Sequence, residues 1–167
     1  MKYTCTIEIK LPVEKVAELW NNKNYFKEWQ DGFKSIERIS GIPDTEGAKS
    51  KIIFSDKQTI ELTETIISSN LPEEKIALYE HIHMTNTQTT RFQAIDDQKT
   101  LYVSEVEYTQ FNGLMIKLMA KLFPGKFKAQ SQKWMKQCPE EILNTWLIHS
   151  TMMMKEEQEL DLLFHFC

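Results

Sequence analysis

At 167 residues the chain has the length of one domain, and 41% hydrophobic with 26% charged residues is the composition of an ordinary soluble protein, which excludes wholesale disorder. No apolar run approaches the roughly 20 residues that cross a bilayer, and the first residues enter an alternating strand instead of a signal-peptide core, so a cytoplasmic protein without stable membrane insertion is expected. A formal charge of −4, with no Lys/Arg cluster interleaved with aromatics, argues against nucleic acid as a partner.

Lys2 to Lys10 alternates, with Tyr3, Cys5, Ile7 and Ile9 in one phase, which predicts a half-buried first strand. Pro12 opens a helix whose inward face carries Val13, Val16, Ala17 and Trp20; Asn21 and Asn22 end it, and Asn24 to Trp29 forms a second short helix. Strands are then expected over residues 33–40, 48–55, 58–69, 75–84, 87–95 and 99–109. Turn chemistry separates them at Gly41-Ile42-Pro43-Asp44, Ser55-Asp56-Lys57, Asn70-Leu71-Pro72 and Asp96-Asp97. Links this short make antiparallel neighbours. In the last strand Leu101, Val103, Glu105, Glu107 and Thr109 fall on one face and Tyr102, Ser104, Val106 and Tyr108 on the other.

A long helix follows. Leu114, Met115, Leu118, Met119, Leu122 and Phe123 recur at the spacing of one buried face, and methionines there can repack around guests, which suggests a cavity between sheet and helix. A filled core is the alternative reading of the same stripe. Phe123-Pro124-Gly125 interrupts the helix as a fixed kink or a hinge.

Composition changes at Gln137. Residues 138–167 carry only Lys155 against Glu140, Glu141, Glu156, Glu157, Glu159 and Asp161, together with Met152, Met153 and Met154. Pro139, Glu140 and Glu141 suit a helix start, and Ile142, Leu143, Trp146 and Leu147 give it an apolar stripe. We therefore divide the chain into a domain at 1–137 and an atypical, partly helical tail at 138–167, which is either an extension or an altered reading frame. Cys5, Cys138 and Cys167 are too few and too widely spaced for a disulfide framework or a zinc site, and free thiols are expected.

The order strand, two helices, six hairpin-linked strands and a terminal helix defines an α+β fold: a curved antiparallel sheet of about seven strands wrapped around a long helix. That order, with LPVEKVAELWNNKNYFKEWQDGFKSIERISG, GAKSKIIF, IELTETI and NGLMIKLMAKLFPGKFKAQSQKWMKQ, resembles the START-like SRPBCC (helix-grip) superfamily near its polyketide cyclase/dehydrase-like branch, over about residues 1–137. The resemblance implies a deep hydrophobic cavity for lipids, polyketides or other apolar molecules, with activity left open because the fold hosts many functions.

Chemistry-bearing residues are sparse. His81 and His83, two apart, share a strand face, but a third ligand at a metal-binding spacing is missing, so no metal and no cofactor are expected. Glu64 interrupts the Ile60, Leu62, Ile66 phase, and Glu80 the Ile76, Leu78, Ile82, Met84 phase, so both carboxylates are candidates to point inward as acid or base. Strand twist turning them outward, or neutralisation by Arg91 or a Lys, is the structural alternative. Tyr25, Phe26 and Trp29, near Phe33 and Phe54 in kind, form either a cavity mouth or a core cap.

We expect an apolar ligand to be lined by Phe26, Trp29, Phe54, Leu62, Tyr79, Tyr102 and Tyr108 from helix and sheet, and by Leu114, Met115, Leu118, Met119 and Leu122 from the terminal helix. Three functions follow: a carrier or sensor of a hydrophobic small molecule, a cyclase- or dehydratase-type enzyme using Glu64, Glu80, His81 or His83, and an interaction module that forms a homodimer through the tail. The FPGK stretch at 123–126 lacks the rest of a phosphate-binding loop, and no GxSxG elbow exists, so nucleotide hydrolysis and serine hydrolase chemistry are not expected.

Overall fold

Short links between alternating segments fold each of the last five strands back on its predecessor, and seven strands form a single antiparallel sheet in the computed structural model, which describes residues 1–55 and 59–138. The strands are β1 (Lys2–Ile9), β2 (Phe33–Ser40), β3 (Lys49–Ser55), β4 (Thr59–Asn70), β5 (Glu74–His81), β6 (Met84–Asp96) and β7 (Lys99–Phe111). Their order is β1-β7-β6-β5-β4-β3-β2, so β1 lies beside the last strand while the other six form a meander. Helix α1 (Val13–Asn21), a 3-10 turn (Lys23–Tyr25) and α2 (Phe26–Trp29) carry the chain from one sheet edge to the other. After β7 come α3 (Leu114–Leu122) and α4, helical over residues 124–138. Bulges at Ile67 in β4 and Thr109 in β7 add bends to the sheet.

Pro12 occupies the N-cap of α1, and Asn22 ends it while its Oδ1 accepts from the Asn24 amide at 3.1 Å. Val16, Ala17, Leu19 and Trp20 are buried against the sheet. The Trp20 ring meets Phe92 edge-on at 5.6 Å and Tyr102 at 6.1 Å, contacts each worth about 0.5–1.5 kcal/mol beyond area burial. Thr100 Oγ1 donates to the Leu11 carbonyl at 2.8 Å in full burial, which fixes the chain as it leaves β1.

The helix gripped by the sheet is α4. Phe127, Ser131, Trp134, Met135 and Cys138 follow one helical face: Phe127 packs edge-on against Tyr108 at 5.3 Å, Ser131 Oγ pairs with Tyr3 Oη at 2.9 Å, and Trp134 stacks on Phe54 at 5.8 Å. Met135 and Cys138 close the main core beside Trp20 and Tyr102, so the described fold runs through Cys138. Cys5 and Cys138 are free and buried.

The stripe expected to face the cavity does not. Leu114, Met115, Leu118, Met119 and Leu122 are exposed, Leu114 at 85%, because the chain breaks at Phe123 before Pro124 and only the segment after the break lies on the sheet. The turn expected at Ser55-Asp56-Lys57 lies, apart from Ser55, outside the described residues. So do the second helix from Pro139, the surface around Trp146 and Leu147 expected to form the homodimer, and Cys167. Among the described residues, no helix is long and apolar enough to cross a membrane.

Candidate functional site

Register decides which residues share the inward face of the sheet. Ser50 lies opposite Glu64, Glu64 opposite Tyr79, Tyr79 opposite Asn86 and Asn86 opposite Tyr108, so one row of polar side chains crosses five strands, β3 to β7. Ile52 and Leu62 pair in the next row, with Met84 across from His81. Above these rows stand α1, α2 and α4. They enclose a cavity of about 470 Å³, within the size range of small-molecule sites.

Of the expected lining residues, Phe26, Trp29, Phe54, Leu62, Tyr79, Tyr102 and Tyr108 border this cavity, as do Glu64 and His81. The exposed α3 residues do not border it. Trp20, Ile52, Asn86, Gln88, Ser104, Ser131, Trp134 and Met135 also line it and were not among the lining residues expected from sequence. Their signal was available in part: Ser131, Trp134 and Met135 keep the helical spacing that Phe127 and Cys138 extend.

Glu80 is exposed on the outer face, opposite Thr63, and takes no place in the site. The apolar phase of β5 misleads here. Lys75, Ala77, Tyr79 and His81 face inward, and Ile76 and Leu78 face out, because alternation gives the period of a strand but pairing with β4 sets its side. The hairpin turns at Ile82-His83, so His83 is an exposed turn residue and not a strand neighbour of His81. Its amide donates to His81 Nδ1 at 3.3 Å, and the rings lie 5.3 Å apart. Among the described residues, no three His, Cys, Asp or Glu side chains gather as metal ligands.

Glu64 is 8% exposed, and Tyr79 Oη donates to its Oε1 at 2.9 Å. Burial, followed by the facing Glu64 charge, pushes the Tyr79 hydroxyl well above its ordinary value, so it stays a proton donor. Burial also lowers His81, with His83 adding to the effect, which favours neutral imidazole. Arg91 neutralises neither glutamate proposed for it. It faces outward and pairs with Glu74 at 2.7 Å and Glu105 at 2.9 Å.

At the other end, Lys75 Nζ donates to Asn21 Oδ1 at 2.8 Å and Asp44 Oδ1 at 2.9 Å, and sits 5.8 Å from the Trp20 ring centre. Burial would raise the Asp44 carboxyl, but the hydrogen bond and charge of Lys75, helped by Lys23, hold it below its ordinary value.

Aromatic rings run beside the cavity. Phe26, Phe33, Phe54 and Trp134 follow one another at 5.6, 6.0 and 5.8 Å, linking α2 to α4 across β2 and β3. Asp31, in the α2–β2 loop, pairs with Lys133 and accepts from Gln137 Nε2 at 3.2 Å, an exposed latch between that loop and α4. The indole N–H groups of Trp29 and Trp134 are buried without an acceptor among the described residues.

Neither a family model nor a curated protein matches the sequence. Solved structures do match. A protein from Thermus thermophilus is 15% identical over 87% of this chain and 99% of its own, with a TM-score of 0.71. A Streptomyces aromatase/cyclase is 11% identical over 87% and 92%, at 0.64. A START superfamily protein from Mycobacterium smegmatis is 14% identical over 84% and 98%, at 0.62. With the sheet order and gripped helix described above, these likenesses establish the START-like, polyketide cyclase-like helix-grip fold.

Proposed function

We propose that the protein binds a hydrophobic small molecule in the cavity between sheet and α4, as a carrier or sensor. One observation carries this reading: a cavity of about 470 Å³ persists inside the grip, walled by Trp20, Trp29, Phe54 and Trp134 and crossed by the polar row of Glu64, Tyr79 and Asn86. Large apolar walls supply affinity and a few polar groups orient the guest. Native mass spectrometry of the full chain purified from cell extract tests it: a stoichiometric small-molecule adduct is the expected result, and bare protein that also takes up no added apolar compound would contradict it.

A cyclase- or dehydratase-type reaction is the second reading, favoured by the convergence of Glu64, Tyr79 and His81 on the same cavity. Turnover of an added polyketide-like substrate that Glu64→Gln abolishes, with substrate binding retained, would favour it over the carrier.

A further inference from the structure

Besides tyrosines, four acidic or basic side chains border the cavity: Asp31, Glu64, Lys75 and His81. Lys75 spends its charge on Asp44, and Asp31 is matched by Lys133. Glu64 alone of the three formally charged groups has no cationic partner among the described residues. Its one side-chain hydrogen bond there, from Tyr79 Oη, engages Oε1 and leaves Oε2 open to a guest in the cavity that Glu64 lines.

A carboxylate more than nine-tenths buried is costly unless donors surround it. Neighbouring side chains cannot supply a cation. Ile66 is on the same face of its own strand, Ser50 lies across β3, and Tyr79 lies across β5.

We propose that the ligand is an apolar molecule carrying a basic nitrogen, and that its ammonium group is held by Glu64 Oε2 with Tyr79 bracing the other oxygen. This inference rests on the cavity-binding reading and specifies the ligand class for it. A ligand carboxylate at the same depth meets Glu64 as a like charge, and a hydroxyl gives a weaker, uncharged hydrogen bond. His81, which burial holds below its ordinary value and which has Met84 beside it, adds little competing positive charge at pH 7. Tyr79, its proton firmly held, donates to Glu64 throughout.

Trp20, Trp29 and Trp134 line the cavity, so their fluorescence reports occupancy directly. Decylamine, decan-1-ol and decanoate, identical in chain length, are titrated at pH 7 into the full-length protein and into Glu64→Gln. The amine is expected to bind at least about tenfold more tightly than decanoate, with the alcohol between them, and Glu64→Gln should level the series. Equal affinities, a preference for decanoate, or an amine preference that survives Glu64→Gln would overturn the inference while leaving the cavity reading intact. Saturation by none of the three would instead remove the cavity reading and the inference with it. Should Glu64→Gln fail to fold, the order of the three probes on the unaltered protein decides.

Discussion

Trp20 donates its indole N–H to Tyr102 Oη across 3.1 Å in a buried contact, and this bond fastens α1 to β7 over a sequence separation of 82 residues. It joins the roof of the cavity to its floor, since both residues also line it. Tyr102→Phe keeps the ring packing but strands a buried donor. A loss of about 1–3 kcal/mol in unfolding free energy is expected by urea denaturation.

Lys75 and Asp44 are unequal partners. The lysine side chain is 7% exposed and the aspartate 30%, so removing the aspartate leaves the more deeply buried charge short of its partner. Asp44→Ala should cost about 2–3 kcal/mol, whereas Lys75→Met, which replaces the charge with apolar bulk and leaves Asp44 near Lys23, should cost less. Chemical denaturation of the two variants side by side checks the order.

Gly41 has φ +80°, and a Cβ built there would lie 2.7 Å from Ala48 Cα. Gly47 has nearly the same φ, +79°, with open space around it. Both alanine variants lose the left-handed freedom of glycine, at about 1 kcal/mol, but only Gly41→Ala also forces backbone apart. Gly41→Ala should therefore lower the thermal midpoint further than Gly47→Ala, because Gly41 closes the β2–β3 connection against the start of β3.

The folded state holds His81 below its ordinary value of 6.5, chiefly by burial. Below about pH 6.5 the unfolded chain takes up a proton that the folded chain resists. His81 thus contributes stability that is fully present above that pH and is lost as pH falls through the lower folded value. Comparing urea midpoints of the protein and His81→Gln from pH 8 to pH 5 should show the protein losing stability relative to the variant toward acid. A difference independent of pH would count against it.

Local pattern revealed the elements well and their facing less well. Tyr102, Ser104, Val106 and Tyr108 share a phase in the sequence and a face in the sheet, because β7 keeps its alternation from Thr100 through Tyr108. In β5 the same logic picked the wrong side. A cavity wall can be polar and an outer face partly apolar, so Ile76 and Leu78 resembled core while Tyr79 faced the site. Glu64 and Glu80 look alike in sequence, and only strand pairing separates the buried one from the exposed one. Helical periodicity likewise identified an apolar stripe on α3 without saying what covers it. The more polar face at Phe127, Ser131 and Trp134 makes the grip, since Pro124 redirects the chain.

The most direct test of the account is isothermal titration calorimetry of the full chain with decan-1-ol at several temperatures. Binding in the cavity predicts saturation at one molecule per chain with a negative heat-capacity change, the mark of apolar surface leaving water. An absence of saturable binding, or binding at many sites with no heat-capacity change, would contradict it.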